Sequence, residues 1–229
     1  MMKKTLLAAS LSLLFASNAM AVSNGNFSAG LTGWTSLGDV TELSGAAMLT
    51  SASFASVDDF PDLAGAFNVS GTETALIDDI ETSLGVASYT LGIDATEGSL
   101  LKQTFNVNAG DTLSFNWNFF TNEAATGTDY AFVSINGAVS TLAAAVDATF
   151  TDVTYAFTTN AGSFSHVFAS AGSVELGFGV LDMVDYSVTS ALTLDNVTLV
   201  AAPIPEADTY ALMLAGMGLV GFLARRRKV

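Results

Sequence analysis

Apolar and polar residues alternate with a period of two along much of the chain, and this pattern restricts the fold more than any other feature. In 112–119 every odd-numbered position holds Leu, Phe or Trp, and every even-numbered position holds Thr, Ser or Asn. Residues 101–107 alternate in a similar way, and the turn-forming stretch Ala109-Gly110-Asp111 follows them. Because side chains point alternately to the two faces of a β-strand, each run predicts a strand with one buried face. Residues 99–119 therefore predict a β-hairpin.

Segments rich in Thr, Ser, Val and Phe, with Gly and Asn between them, recur through the rest of the chain. This composition favours strands separated by turns. The segments predict further strands at 33–37, 46–51, 64–69, 130–135, 150–157, 163–169, 174–180 and 191–199.

Residues 72–85 depart from this pattern and predict one short helix. Apolar residues stand at 76, 77, 80 and 84, which is a helical spacing. Thr72 is the expected N-cap, and Gly85 is the expected end. The predicted fold class is all-β: a jelly-roll-like β-sandwich of about eight to ten strands with one short covering helix. Residues 22–200 are expected to form this ectodomain as one domain, because no Pro- or Ser-rich linker interrupts them.

Charge is distributed very unevenly along the chain. The stretch 22–201 holds 20 of the 22 carboxylates and one of the seven basic residues, Lys102, so its net charge is about −19. Such a surface repels phosphate backbones, which excludes nucleic acid as a partner. The chain has no cysteine and a single histidine, His166. This excludes disulfides and thiolate metal sites, and it removes most histidine-dependent catalysis.

The first 21 residues predict a secretory signal peptide with a signal helix at its centre. Residues 3–4 are lysines, 6–16 form a short apolar run, and Ala19-Met20-Ala21 supplies a small-x-small cleavage site. The apolar run is too short to span a membrane easily. Ala19 and Ala21 therefore predict cleavage before Val22, after export by the secretion machinery.

The C-terminus predicts a linker, a short transmembrane helix and a basic end. Residues 201–209 contain two prolines, 210–224 are mainly apolar, and 225–229 are mainly basic. A helix over 210–224 is about 22 Å long, which is short for a hydrocarbon core of about 30 Å. A basic cluster after an apolar helix predicts a cytoplasmic end. The ectodomain is then expected outside an inner-membrane-anchored precursor.

This tail resembles a known family of sorting signals. Residues 203–228, PIPEADTYALMLAGMGLVGFLARRRK, are similar to the PEP-CTERM sorting signal, which is also catalogued as the ice-binding-protein C-terminal motif. The matching parts are a Pro-Glu-Pro-like motif, a short apolar helix and an Arg-rich end, with the motif residues Pro205, Glu206, Arg225, Arg226 and Arg227. Ala207 stands where the second proline is usual. The resemblance implies an exported protein of a Gram-negative, exopolysaccharide-producing bacterium that is processed by an exosortase, and it implies nothing about ice binding.

The ectodomain resembles exported jelly-roll domains related to carbohydrate-binding modules. The similar segments are its opening, 24–34, and its close, 191–199. In such modules a structural calcium often joins the first segment to an Asp in the last strand. The resemblance therefore implies a candidate calcium site at Asp195, with Asn24 and Asn26 from the first segment. Ser28 departs from the pattern, because a Glu is common at that position.

Glycan binding is the second chemistry that an acidic, exported domain suggests. Sugar rings pack on exposed aromatic faces, while carboxylates and amides bind their hydroxyl groups. Trp117 belongs to the apolar face of its strand, so a core position is predicted for it. The candidate binding residues are Trp34 and Tyr186 as aromatic faces, and Asn122, Glu123 and Asp129 as polar groups at one end of the sandwich.

The chain shows no catalytic motif, so a non-enzymatic protein is predicted. His166 alternates with Phe164 and Phe168 in a predicted strand. The sequence has neither a Gly-x-Ser-x-Gly elbow nor a phosphate-binding Gly loop. The acidic segments 58–62 and 182–185 lack the spacing of an EF-hand loop and are interpreted as solvated loop charges.

The predicted function is that of an exported cell-envelope or extracellular-matrix protein, structural or adhesive in an exopolysaccharide biofilm. A carbohydrate-binding module is the alternative, and a secreted glycan-active enzyme is the third interpretation. The predicted partners are an exosortase, the secretion machinery and exopolysaccharide, and structural calcium is the candidate cofactor. The precursor is expected at the inner membrane and the mature form at the cell surface or outside it. The sequence leaves transient and permanent anchoring open.

Overall fold

The computed structural model describes residues 22–55, 66–124, 126–203 and 207–226. The predicted signal peptide with Ala19 and Ala21, the segment 58–62, and Pro205, Glu206 and Arg227 lie outside the described residues. The helices are α1 (Ile77–Leu84) and α2 (Ala207–Arg226), and Ala145–Asp147 forms a 3₁₀ turn. The strands are β1 (Thr35–Leu37), β2 (Asp39–Leu43), β3 (Ala46–Thr50), β4 (Ala75–Leu76), β5 (Ala95–Val107), β6 (Thr112–Thr121), β7 (Tyr130–Ile135), β8 (Ala138–Ala144), β9 (Phe150–Thr151), β10 (Phe157–Thr158), β11 (Gly162–Val167), β12 (Gly172–Met183) and β13 (Ser190–Val200).

The strands form two antiparallel sheets. The first sheet has the order β1-β5-β12-β7-β8, and β4 adds to β5. The second sheet has the order β2-β3-β13-β6-β10-β9, and β11 also pairs with β6. Long strands pair across large sequence distances, because the chain crosses repeatedly from one sheet to the other, as in a jelly roll. The predicted all-β sandwich is confirmed, and the strands β2, β4 and β8 are additions to the predicted set.

The hydrophobic core lies between the two sheets and contains every second residue of the long strands. Leu176, Phe178 and Val180 of β12 belong to the same buried cluster as Phe115 of β6 and Leu192 of β13. The rings of Phe115 and Phe178 meet edge to face with their centroids 4.8 Å apart. Each of these five side chains is at most 1% exposed. The period-two pattern therefore identifies the buried face of each strand correctly.

Helix α1 covers the outer face of the first sheet. Its side chains Ile80 and Leu84 share a buried cluster with residues of β5, β7 and β12. Gly85 follows with a φ of 65°, in the left-handed conformation predicted for the end of the helix. The predicted start is wrong: the helix begins at Ile77, five residues after Thr72, and the preceding residue makes no side-chain capping bond. The reason is that β4 pairs with β5 immediately before the helix.

Strands β5 and β6 belong to different sheets, so the predicted hairpin at 99–119 is wrong. The turn between them is closed by Asp111, whose N–H donates to the Asn108 carbonyl at 3.1 Å. The Asp111 Oδ2 in turn accepts a hydrogen bond from the Asn108 N–H at 2.7 Å. Alternation shows which face of a strand is buried, but it does not show whether the next strand lies beside it or opposite it. Here the two strands bury their apolar faces in one core from opposite sides.

Two other predicted strands also differ from the structure. Residues 66–69, the described part of the predicted strand 64–69, are not in a strand. Within 150–157 only β9 and the first residue of β10 are paired. Between them the Asp152 carboxylate accepts hydrogen bonds from the N–H groups of Thr154 at 2.8 Å and Tyr155 at 3.1 Å. This local turn competes with strand pairing, as is typical of Asp.

The C-terminal helix α2 includes the predicted helical segment 210–224. Over the part of the chain that the structure describes, no helix combines the length and the apolar character needed to cross a membrane. The predicted transmembrane helix over 210–224 is therefore not supported.

Candidate functional site

One end of the sandwich interior is polar instead of apolar. Glu97 of β5 stands opposite Asp182 of β12, and Asp129 lies on the other side of β12, just before β7. Each of the three continues the set of residues that face the core on its strand. They are 8%, 2% and 0% exposed, respectively. We refer to Glu97, Asp129 and Asp182 as the buried acid row.

Asp129 connects the two ends of the loop 184–189, which follows β12. Its Oδ1 accepts a hydrogen bond from the Met183 N–H at 2.9 Å, and its Oδ2 accepts one from the Ser190 hydroxyl at 2.7 Å. Met183 is the last residue of β12, and Ser190 is the first of β13. Burial raises the pKa of Asp129 to about 8, against the opposing effect of the hydrogen bond from Ser190. One carboxyl group therefore holds both ends of this loop.

The pKa of Asp182 is raised further than that of Asp129. Its Oδ1 is buried and has no hydrogen-bond partner among the described residues. Burial, followed by the charges of four neighbouring acids, raises the pKa of Asp182 to about 10. These neighbours are, in order of effect, Asp129, Asp185, Glu97 and Glu123. A carboxyl group with such a pKa is uncharged at neutral pH.

A pocket of about 300 Å³ lies between the loop that follows β6 and the loop 184–189. Glu123 lines it from the first loop and Asp185 from the second. Burial raises the pKa of Glu123, and the charge of Asp185 adds to this effect. The Glu123 Oε2 accepts a hydrogen bond from the Asp129 N–H at 3.1 Å, so the pocket adjoins the buried acid row. We refer to this cavity as the end pocket.

The loop 184–189 carries backbone strain. Val184 has a φ of 80° and Val188 a φ of 73°, in the left-handed region where a β-branched residue is a rare outlier. Such conformations cost about 1–3 kcal/mol each and persist only where the surrounding structure fixes them. The hydrogen bonds of Asp129 at the loop ends, and one from the Thr96 hydroxyl to the Asp185 carbonyl, provide this fixation. Strain of this kind is concentrated at functional sites.

Exposed apolar side chains accompany the carboxylates at the end pocket. Val184, which lines the pocket, and Tyr186, two residues further along the loop, are 66% and 57% exposed. Ile93 is 77% exposed, and the carbonyl of the following Asp94 accepts a hydrogen bond from the Val184 N–H at 2.6 Å. An aliphatic side chain thus lines the pocket beside acceptor oxygens, and an exposed aromatic residue lies on the same loop; apolar faces and acceptor oxygens are the groups that bind sugars.

The fold brings only some of the five residues predicted to bind glycan to the end pocket. Glu123 and the loop of Tyr186 come together at the end pocket, and their role in binding stays a prediction. Asp129 is fully buried and does not line the pocket. Asn122 lies beside them, but its Oδ1 accepts a hydrogen bond from the Ala156 N–H at 2.9 Å. Trp34 is a core residue, 9% exposed, and contacts two other buried rings. Trp34 therefore has a packing role, which the sequence favours over an exposed binding face for this residue.

Asp195 of the predicted calcium site has local partners for both carboxylate oxygens. Its Oδ1 accepts a hydrogen bond from the Asn196 N–H at 2.6 Å, and its Oδ2 accepts one from the Asn196 side chain at 2.9 Å. The first segment does reach β13, since the Val197 N–H donates to the Gly25 carbonyl at 2.8 Å. The resemblance therefore places these segments correctly side by side.

Asn24 and Asn26 make hydrogen bonds within their own loop. The Asn24 Nδ2 donates to the Gly30 carbonyl at 2.7 Å, and the Asn26 Oδ1 accepts from the Ser28 N–H at 3.3 Å. In the residues that the structure describes, no three Asp, Glu, His or Cys side chains form a group able to hold a metal ion. Calcium at Asp195 stays a prediction.

A second, smaller depression involves Trp117. It has a volume of about 160 Å³ and includes Asn116, Asn118 and Asp195 in its lining. Trp117 is half-buried and packs against the core, so the expected core position holds only in part. The residue paired with it in β11 is Gly162, and a Cβ there would collide with the indole. The indole therefore lies over a glycine at the beginning of β11, and part of the indole stays accessible.

The sequence analysis missed the buried acid row. The interpretation of 182–185 as solvated loop charges is wrong for Asp182, because β12 continues to Met183, beyond the predicted end at residue 180. The alternation of core-facing residues along β12 was the signal that could have identified Asp182. Residues 176, 178 and 180 face the core, so residue 182 faces it too when the strand is extended.

Comparisons with known proteins give a match for the tail and similar structures for the ectodomain. The PEP-CTERM protein-sorting motif matches residues 203–228, which confirms the resemblance of the tail. No curated protein matches the chain. One similar solved structure is a family 61 carbohydrate-binding module in complex with β-1,4-galactotriose, 11% identical over 78% of this chain and 96% of that module, with a TM-score of 0.35. Another is a family 4 carbohydrate-binding module, 12% identical over 78% of this chain and 98% of that module, also with a TM-score of 0.35.

Proposed function

We propose that the chain is an exported, non-enzymatic protein of the cell envelope or extracellular matrix that adheres to polysaccharide. The sorting motif at 203–228 implies export and surface sorting. The signal-peptide pattern at 1–21 agrees with this route. On this proposal an exosortase separates the ectodomain from its tail, and the ectodomain then acts in a biofilm as an adhesive or structural component.

The observation that carries the adhesive role is the composition of the end pocket. Glu123 and Asp185 offer carboxylate oxygens to sugar hydroxyl groups, and the nearby ring of Tyr186 offers a face for a sugar ring. The strained loop presents Asp185 and Tyr186 in a fixed conformation, so little conformational entropy is lost when a ligand binds. Because the surface is strongly acidic, the proposed ligand is an uncharged polysaccharide.

A carbohydrate-binding module that recognises one defined glycan is the second candidate. The depression beside Trp117 favours it, because part of an indole lies there next to the side chains of Asn116, Asn118 and Asp195. Indole faces and amides are common contacts for sugars. In this case the binding surface is the depression beside Trp117, and the end pocket is not used.

Retention on polysaccharide from the producing organism tests both candidates. We expect Tyr186→Ala and Glu123→Gln each to lower the affinity of the exported protein about tenfold, which corresponds to about 1.4 kcal/mol. Tyr89→Ala and Asp79→Asn are matched controls, because these exposed residues do not line the end pocket. Loss of retention in Trp117→Ala alone would contradict the end pocket and favour the second candidate. Release of sugar products would contradict the non-enzymatic role.

Intact-mass analysis tests the route of the protein. In a host with an exosortase, the mature chain is expected to begin at Val22 and to lack the residues that follow about Glu206, as in related sorting signals. A signal peptide removed with the tail still attached would contradict processing by an exosortase. That result would not affect the proposal that the ectodomain binds polysaccharide.

A further inference from the structure

We propose that Asp129 and Asp182 form a proton-dependent latch: while they carry protons they hold the loop 184–189 closed, and loss of the protons releases it. The loop supplies Asp185 to the end pocket, so the latch also controls the pocket. This control over glycan binding rests on the proposed function. The latch itself does not depend on what the pocket binds.

The three carboxyl groups of the buried acid row lie on adjacent strands. Asp182 is paired with Glu97 across β12 and β5, and Asp129 is next to the residue that pairs with Leu181. Neighbouring strands are about 4.8 Å apart, so side chains on the same face of adjacent strands are close to one another. Negative charges at this spacing repel one another strongly when water is excluded. The packing is therefore stable only if most of this charge is neutralised.

The only basic residue in the ectodomain sequence, Lys102, lies far from the buried acid row. Lys102 forms an ion pair with Glu175 at 3.0 Å, and its Nζ also donates to the Ser83 carbonyl. Lys102 is paired with Gly177, five residues along β12 from Asp182, which corresponds to about 17 Å. Protons or a metal ion must therefore supply the counter-charge. The groups that bind the Asp129 carboxyl are an amide and a hydroxyl, which are neutral donors that an uncharged acid tolerates.

Asp182 is surrounded by acidic and neutral groups. The side chains that act on it are all acidic: Glu97 from β5, Asp129 next to β7, Glu123 from the loop after β6, and Asp185 from its own loop. The hydroxyl of Tyr130, on the other face of β7, donates a hydrogen bond to the Leu91 carbonyl. The opposite sheet contributes the neutral hydroxyl of Ser190 from β13. Among the described residues, every charge that acts on Asp182 is therefore negative, and each one favours a proton on it.

The pH at which the latch opens follows from the pKa values of the two groups. In the unfolded chain both aspartates lose their protons near pH 4. Burial raises the pKa of Asp129 to about 8 and that of Asp182 to about 10. Between these limits the unfolded state binds fewer protons than the folded state, so stability falls as the pH rises. Asp129 is expected to ionise first: its hydrogen bonds with the loop ends favour the charged form, but burial and the charges of Glu123 and Asp185 oppose it more strongly.

Release of the loop follows from its strain. Val184 and Val188 keep their left-handed conformations only while the loop ends are fixed. Ionised Asp129 is repelled by Glu123 and Asp185, and also by Asp182 once that group ionises, so the strands separate at this end and the loop relaxes. We expect the loop to be ordered at pH 6 and mobile above about pH 9.

Carbon-detected NMR of Asp carboxyl groups in the exported protein tests the latch directly. In the presence of EDTA, we expect two Asp signals to titrate above pH 7, and one of them to disappear in Asp129→Asn and the other in Asp182→Asn. Asp79→Asn, which changes an exposed acid of α1, should leave both signals in place. Titration of all aspartates near pH 4 would overturn the proposal.

Thermal unfolding distinguishes protons from a metal ion. In EDTA, the Tm of the parent protein should fall by about 5 °C or more between pH 6 and pH 9. Asp182→Asn removes the charge but keeps the shape, so its Tm at pH 9 should exceed that of the parent. Asp79→Asn should follow the parent curve. A calcium-dependent rise in Tm that disappears in Asp182→Asn would mean that a metal ion, instead of protons, occupies the row.

Retention on polysaccharide at pH 6 and pH 9 tests control of the pocket. The parent protein should lose affinity about tenfold at pH 9, and Asp182→Asn should lose less. Equal retention of the parent at both pH values, with the NMR titration as expected, would overturn the coupling between latch and pocket. Absence of retention at every pH would overturn the proposed function, while the NMR and melting data would still decide the latch.

Discussion

The pair Trp117 and Gly162 shows how a small residue determines how deeply a large neighbouring side chain is buried. The two residues are opposite each other in β6 and β11, and the indole occupies the space that a side chain at 162 would need. Phe115, two residues earlier on the same face, is stacked on Phe164 and lies edge to face with Phe178. The same strand face therefore changes from a closed core to a partly open edge within two residues.

Truncation of these two aromatic residues should have unequal effects. We expect Phe115→Ala to lower the free energy of unfolding by about 3–5 kcal/mol, since it removes a fully buried ring. Trp117→Ala should lower it by only about 1–2 kcal/mol, because a half-buried side chain loses less apolar contact. Urea unfolding of both variants measures the difference. Equal losses would show that the indole is as well packed as Phe115.

Single residues also mark how far the candidate site was predictable. Glu123 and Asp129 were identified from the sequence as polar groups at one end of the sandwich, because they lie near predicted strand ends. Asp182 was not, because its neighbours in the chain are typical of a solvated loop, whereas its neighbours in space are buried acids of other strands. The local sequence shows only the neighbours of Asp182 along the chain. The charge state of Asp182 depends on its neighbours in space.

At the scale of elements, the connection between β5 and β6 shows what alternation leaves undetermined. Both strands and their buried faces were predicted correctly, yet the hairpin was not formed. The turn is fixed by contacts with distant segments: the Gly110 N–H donates to the Phe168 carbonyl at 2.7 Å, and the Ala202 N–H donates to the Asp111 Oδ1 at 2.9 Å. A period of two contains no information about such partners.

Asp111 should be a strong determinant of this turn. It is 1% exposed, and its carboxylate accepts hydrogen bonds from the N–H groups of Asn108 and Ala202. Asp111→Ala leaves these donors without their acceptor, so we expect a loss of about 1–3 kcal/mol in the free energy of unfolding. Asp147→Ala is the control, because the Asp147 carboxylate caps an exposed turn through the Ala144 N–H. If both variants unfolded at the same urea concentration, the turn would not need Asp111.

The loop 184–189 should gain stability when its strain is removed. Val184→Gly relieves a left-handed β-branched residue that is 66% exposed, so little burial is lost. The relief of about 1–3 kcal/mol exceeds the cost of about 0.5–1 kcal/mol for the flexibility of glycine. We expect a net gain of about 1 kcal/mol by urea unfolding. Val146→Gly, at an exposed residue that is not left-handed, should lose stability, and a loss in both variants would argue against strain at Val184.

At the scale of the whole molecule, the ectodomain has almost no positive charge of its own. Its 20 carboxylates face a single lysine, and Lys102 is already paired with Glu175. Self-repulsion of this size destabilises the compact state unless counter-charge is supplied from outside. Protons can supply it at the buried acid row, and cations can supply it at the surface. The sequence determines the total charge, but only the fold determines which acids are buried and which are open to ions.

Calcium is therefore expected to stabilise the exported protein more than sodium at equal ionic strength. An ion bound by the folded state alone adds about 2.7 kcal/mol when its concentration is 100-fold above its Kd, whereas screening by monovalent salt has no such saturable component. Melting curves in EDTA, in millimolar CaCl₂ and in NaCl of matched ionic strength separate the two effects. Asp195→Ala should reduce the calcium-specific rise in Tm, because Asp195 belongs to the predicted calcium site beside the opening segment of the ectodomain. Asp79→Ala should not reduce it. Equal shifts with CaCl₂ and NaCl would contradict a bound ion and leave screening as the whole effect.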